Sequence, residues 1–209
     1  MIRPEGFSGA AFGTASDGDA RTDPEARRRM SDALGIVDAW ATVRGVHGTT
    51  VALVEGPGHH DDADGLATTV SGLPIAVGSG DCLPVVIEGD GGVAAVHAGW
   101  RGTAAGILGA ARRTLRDAGI EPTRAAIGPA IGPCCFEVGP EVAARFPDAA
   151  ATTTWGTPSV DLRAAAAADL EGLDLWVADA CTSCGDGYHS HRATATLDRQ
   201  VTVAWVPTD

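Results

Sequence analysis

No uninterrupted apolar run in the sequence approaches the roughly 18 residues that a membrane-spanning helix requires, and Met1 to Gly9 lacks the hydrophobic core of an export signal. Both absences lead us to expect a cytoplasmic protein. Positive charge is also scarce: 15 Lys and Arg stand against 27 Asp and Glu, a formal net charge of −12. Such a field repels phosphate backbones and anionic membrane surfaces. Nucleic acid and membranes are therefore not expected as partners. A disulfide framework is missing as well, because the five cysteines are odd in number and no export signal precedes them. They sit singly at Cys82, vicinally at Cys134 and Cys135, and as C-x-x-C at Cys181 and Cys184. Metal binding, thiol chemistry or burial remain for them. There is no internal repeat.

What is present describes a globular chain. The 44% hydrophobic content and mean hydropathy of +0.06 supply the apolar surface that a disordered chain lacks. At 209 residues the length suits one domain, with residues 1–22 read as an irregular N-terminal segment of no sustained period. Asp23 to Leu34 carries full helix punctuation: Asp23 as cap, Pro24 in the first turn, Glu25 at the positive end of the dipole and Gly35 as stop. Short apolar runs broken by glycine follow at Ala41 to Val46, Val51 to Val54, Leu73 to Val77 and Leu83 to Ile87, and they read as strands. The turn Glu88-Gly89-Asp90-Gly91-Gly92 predicts that Val93 to Val96 returns antiparallel beside Pro84 to Ile87, bringing Cys82 and His97 to one end of a hairpin.

A helix is expected from about Thr103 to Ala118, capped by Thr103 and buried through Ile107, Leu108, Ala111 and Leu115. Further strands are expected at Ala125 to Ile127, Leu173 to Ala178 and Val201 to Trp205, with helices near Pro140 to Phe146 and Leu162 to Leu170. Strands and helices mix without regular alternation, which favours an α+β fold, mixed sheets flanked by helices, over a doubly wound sheet.

Three segments carry the chemistry: Val46-His47-Gly48, Asp81-Cys82-Leu83-Pro84 and His97-Ala98-Gly99-Trp100-Arg101-Gly102. Zinc accepts imidazole nitrogen and thiolate, and a catalytic zinc has three protein ligands with a fourth position left for water. Two histidines and one cysteine meet that specification, but their intervals match no zinc-finger spacing, and ordinary burial of each residue stays open. Cys134, Cys135, Cys181 and Cys184 have the ligand types for a second, tetrathiolate site, against the plainer reading of small buried thiols packing loops. His59-His60-Asp61-Asp62 reads as a solvated loop, and His189 and His191 border a pocket or face water.

The segments VHGTTV, GDCLPVVI, VAAVHAGWRGTAAGIL, AAIGPAIGPCCFEVG and ACTSCGDGYHSHR, spread in order along the chain, resemble the YfiH-like laccase-domain family. The resemblance implies a single α+β domain of a type compared with cysteine hydrolases, and a zinc held by His47, Cys82 and His97. It further implies a monomeric purine nucleoside phosphorylase acting on adenosine, inosine, guanosine and methylthioadenosine, with inorganic phosphate as co-substrate and some adenosine deaminase activity. In this reading Cys82, His97 and Asp81 are the catalytic residues, with Asp81 orienting a ligand or relaying a proton. Arg101 and Arg192 are the cations assigned to contact the substrate or its anion, against the alternative that both are structural, with Arg101 making surface or capping contacts.

Three alternatives accompany that reading. The family's older name implies a copper-dependent polyphenol oxidase, for which six histidines are few. Cys82 with His97 as its base suggests a hydrolase editing cell-wall precursors. A catalytically impaired metal-binding relative is the third, because the sequence departs from the family in places. Gly45 stands where glutamine is usual before V-H-G, Ser79-Gly80 replaces T-A before Asp81-Cys82, the N-terminal R-x-G-G-V-S loop is not recognisable in Phe12 to Arg21, and Ala193 to Thr196 replaces a charged glycine-rich segment.

Overall fold

The computed structural model describes residues 1–208. Two sheets form its centre. One has five strands in the spatial order Ala10–Phe12, Gln200–Ala204, Ile75–Ser79, Ala41–Val43, Gly58–His60. The other has six, in the order Asp174–Val177, Pro122–Ile127, Leu83–Gly89, Gly92–Ala98, Gly65–Thr68, Val51–Leu53. Both mix parallel and antiparallel neighbours. The fold is therefore α+β, as the irregular order of elements predicts.

The near-continuous apolar runs have a direct cause: both faces of the central strands are covered. In Val85-Val86-Ile87, Val86 joins Leu66, Ile75, Val77 and Val43 in a core between the two sheets. Val85 and Ile87 point the other way, against Ile107, Leu108, Ala111 and Leu115 of one helix and Leu162, Ala166 and Leu170 of another. On the far side of the five-stranded sheet, Ala76, Val201 and Val203 pack against Ala26 and Met30 of the helix Pro24–Leu34. The result is four layers, helix–sheet–sheet–helix, in which period-2 alternation of polarity is lost wherever a strand is buried on both sides. Phe12 stacks on Trp176 with ring centroids 5.8 Å apart, joining strands of the two sheets.

The hairpin forms in the expected register, with Pro84 opposite His97 and Leu83 opposite Ala98. The helix Pro24–Leu34 is capped by the Asp23 carboxylate, which accepts from Glu25 N–H, and closes on left-handed Gly35. Four expectations are corrected. The segment 1–22 is not irregular throughout, since Ala10–Phe12 is a buried edge strand paired with Gln200–Ala204. Its run of small residues hides any period. The helix expected from Thr103 to Ala118 is two helices, Trp100–Ala104 and Ile107–Asp117, broken at Gly106 with φ +86°. Thr103 is not a cap; its hydroxyl donates to Gly99 O inside the first helix. His59 and His60, expected with Asp61 and Asp62 in a solvated loop, belong instead to the short edge strand Gly58–His60.

Candidate metal centre and active site

The hairpin sets the site. Cys82 precedes one strand and His97 ends its partner, so pairing of Pro84 with His97 brings the two side chains to the same sheet end. His47 arrives on the loop after Ala41–Val43 with φ +62°, and Asp81 beside Cys82 has φ +99°. Left-handed backbone is costly for residues with a Cβ and concentrates at functional sites. Two of the three such residues among those described lie here.

The structure brings together all three expected ligands: one donor atom from each of His47, Cys82 and His97 falls within 4.8 Å of the others. His47 Nε2 lies 3.9 Å from Cys82 Sγ, and the two imidazoles meet edge to face with centroids 5.0 Å apart. Gly99 makes the closeness possible, because a Cβ there would lie 2.8 Å from His47 Cδ2 and 3.1 Å from Cys82 Sγ.

The organising residue is Asp64, which sequence reasoning missed. It is fully buried. Its Oδ1 accepts from His97 Nδ1 at 3.0 Å and from His47 N–H at 2.8 Å, and its Oδ2 accepts from Gly48 N–H at 2.6 Å. One carboxylate thus fixes the ring of one candidate ligand and the backbone of another, leaving Nε2 of His97 without an Asp64 contact. Burial works against its ionisation, but the His97 imidazole and the two N–H groups outweigh this and hold Asp64 below the usual carboxylate range. Burial likewise opposes a charge on Cys82, yet His47 and His97 beside the sulfur bring its thiol down to about 6. Burial disfavours charge on His97, but Asp64 and the Cys82 sulfur raise it to about 9.

The triad opens into a cavity of about 440 Å³ whose walls include Arg21, Arg44, Trp100, Phe136, Arg192 and Arg199. The chain contains no lysine, so every side-chain cation is a guanidinium apart from any protonated histidine. Arg21 is held by both oxygens of Asp19. Arg192 lies over the Phe136 ring at 5.4 Å and donates to Glu137 O, and Arg199 donates to Thr196 O and Asp198 O. Carbonyl partners orient these last two without neutralising them.

Asp81 lines the same cavity. Its carboxylate accepts from Thr182 Oγ1 at 2.7 Å and Arg192 N–H at 2.7 Å, tying the strand end to the one-turn helix His191–Thr194 that carries Arg192. The carboxylate that holds the His97 ring is Asp64, 17 residues earlier, within an acidic stretch that offers no periodic signal. Arg101 does not reach the cavity. It lies over the Trp100 ring at 4.3 Å, on an exposed face beside Arg145, while Trp100 borders both that face and the cavity.

The second thiol set also converges: Cys134, Cys135, Cys181 and Cys184 bring their sulfurs within 4.8 Å of one another. They are not uniformly buried, Cys184 being exposed.

A model of the family described as multi-copper polyphenol oxidoreductase laccase matches residues 2–207. A Deinococcus radiodurans protein named purine nucleoside phosphorylase is 35% identical over 214 residues, covering 96% of this chain and 83% of the relative. A Streptomyces coelicolor protein of the same name is 37% identical over 175 residues, covering 77% and 72%. Among solved structures, YlmD from Geobacillus stearothermophilus superposes with a TM-score of 0.79 at 28% identity, over 91% of this chain and 82% of that one. YfiH from Bacillus licheniformis gives 0.77 at 25% identity, over 89% and 82%. With a match spanning nearly every residue and the same architecture in these neighbours, the chain belongs to the YfiH-like laccase-domain family.

Proposed function

We infer that this chain is a purine nucleoside phosphorylase that uses a zinc ion at His47, Cys82 and His97 and takes adenosine, inosine, guanosine or methylthioadenosine with inorganic phosphate. The observation that carries the reading is the meeting, in one cavity, of the His-Cys-His set with guanidinium groups and aromatic faces. Relatives that share most of this chain bear the same name.

The donor set suits zinc. Two imidazoles and a thiol already inclined to ionise are borderline and soft donors, and a three-residue set leaves a position for water or substrate. When bound, the ion would supply Lewis acidity toward the departing base or a water acidified to a pKa near ~7. The same water would account for adenosine deaminase activity at the amino-bearing carbon of the purine.

The protein's own groups have separable tasks. Arg192 and Arg199, oriented through carbonyls, with Arg44, attract phosphate into an otherwise acidic molecule and aim it at the anomeric carbon. Trp100 and Phe136 offer apolar faces to the base and exclude water. Asp64 holds His97 so that Nε2 faces the reacting end of the cavity. Asp81 keeps the one-turn helix that carries Arg192 in position through the Arg192 backbone N–H.

The test is release of hypoxanthine from inosine by zinc-loaded protein, followed with and without phosphate. Phosphate-dependent release is expected, with loss of turnover in Cys82→Ala. Fully loaded protein that releases no base from any of the four nucleosides would overturn the reading.

A further inference from the structure

The four cysteines outside the active site lie on two loops that the sheets do not connect. Cys134 and Cys135 sit in a single turn, where Cys135 N–H and Phe136 N–H both donate to Gly132 O at 3.0 Å. Cys181 and Cys184 sit in a second turn, closed by Gly185 N–H donating to Cys181 O at 2.8 Å. The loops touch through Thr182 N–H, which donates to Ala130 O at 3.0 Å, and Gly132 N–H, which donates to Cys181 Sγ at 3.2 Å.

We propose that Cys134, Cys135, Cys181 and Cys184 form a second, structural metal site that takes a soft divalent cation of the zinc class. Three observations carry it. The four sulfurs lie within 4.8 Å of one another, and Cys134 Sγ is 3.7 Å from Cys184 Sγ. A tetrahedron of sulfurs around zinc, with Zn–S ≈ 2.3 Å, has edges of about 3.8 Å, whereas a disulfide needs about 2.05 Å. Backbone N–H groups face Cys181, from Gly132 in the opposite loop and from Ser183 and Cys184 in its own turn. Donors of this kind stabilise a thiolate and orient it as a ligand. Finally, Gly132 lets the loops approach closely, since a Cβ there would sit tightly against the thiols, 3.2 Å from Cys134 Sγ and 3.4 Å from Cys181 Cβ.

Cys184 is exposed, so a cation has access to the cluster from solvent. Binding releases thiol protons to solvent and changes no oxidation state. With all four positions filled by protein the site has no opening for substrate, so its task is to pin two loops. One loop furnishes Ile131 and Phe136 to the cavity, and the other leads into the one-turn helix His191–Thr194 that supplies His191 and Arg192.

The inference does not rest on the nucleoside reading, and its test leaves activity aside. His47→Ala/His97→Ala removes two ligands of the first site, so metal retained by that variant belongs to the sulfur cluster. Purified from zinc-supplemented medium with reductant, the wild type should carry two zinc ions per chain by elemental analysis and native mass spectrometry, and this variant one. Exchange into cobalt should give the variant the near-ultraviolet sulfur-to-cobalt bands of a tetrathiolate. Adding Cys181→Ser/Cys184→Ser should take the count to none. Should that chain not fold, titrating the folded His47→Ala/His97→Ala protein with a mercurial should release its zinc as the thiols are consumed. No metal in the His47→Ala/His97→Ala protein, a count unmoved by loss of the cysteines, or a mass two hydrogens low from a disulfide would each overturn the proposal.

Discussion

At the scale of single residues, Asp64 does more for the site than its place in an acidic loop suggests. Its two oxygens accept from one ligand's ring and from the backbone at the other. Replacing it by Asn leaves shape but removes charge and one acceptor. Carboxylate partners of ligating histidines are worth 10- to 100-fold in metal affinity, so Asp64→Asn should weaken zinc binding by about that factor in a competition titration with a chromophoric chelator. An unchanged affinity would mean that the carboxylate only packs.

The Cys82–His97 pair fixes a pH window for the metal-free protein. Cys82 is held low, to about 6, so its contribution to stability is present above the ordinary thiol pKa and is lost as pH falls through about 6. His97 is held high, to about 9, so its contribution is present below the ordinary imidazole pKa and is lost as pH rises through about 9. Both are charged between those limits, and binding a cation must displace the His97 proton. Alkylation of Cys82 in metal-free protein should therefore be half-maximal near pH ~6. A midpoint in the ordinary thiol range of about 8 to 9 would show that the imidazoles do not act on the sulfur.

At the scale of elements, the strand–turn–strand unit was legible because its information is local. Glu88 to Gly92 is a turn in composition, and the apolar strands on either side have one sensible register. Cys82 and His97 are thus placed by sequence alone. Asp64 was not, because it approaches His97 only when Gly65–Thr68 pairs with Gly92–Ala98, strands separated in sequence by two others rather than by a single turn. The break at Gly106 escaped for a different reason: a lone glycine is tolerated within a helical pattern, and only the observed φ shows that it ends one helix and begins another. Arg101 illustrates the limit of motif reading, since it adjoins Trp100 in sequence yet faces away from the cavity.

The junction of strand and helix at Gly99 offers a sharp test of element placement. In Gly99→Ala the new methyl would meet His47 and Cys82 at 2.8 and 3.1 Å, and contacts of that length force a shift. The backbone there is extended, with φ −69°, so the fold itself should tolerate alanine. Zinc content should fall while circular dichroism stays as in the wild type. Full zinc content would show that the ligands have slack.

At the scale of the whole molecule, the site depends on two sheets packed face to face. His47 follows a strand of one, and Cys82 and His97 belong to the other. Their meeting is tertiary, which is why spacing along the chain could not demonstrate it. Leu66, fully buried between the sheets with Ile75 and Val77, should cost about 2–5 kcal/mol of stability when cut to alanine, the range for large core deletions. Urea unfolding at fixed metal loading measures it; a loss under 1 kcal/mol would mean that the interface relaxes to fill the gap.

The proposed site requires one cation shared by residues from both sheets. Anomalous diffraction at the zinc edge, from crystals of zinc-loaded protein, locates that cation without reference to activity. A peak within bonding reach of His47 Nε2, Cys82 Sγ and His97 Nε2 is predicted. No peak there in a protein that holds zinc elsewhere would contradict it.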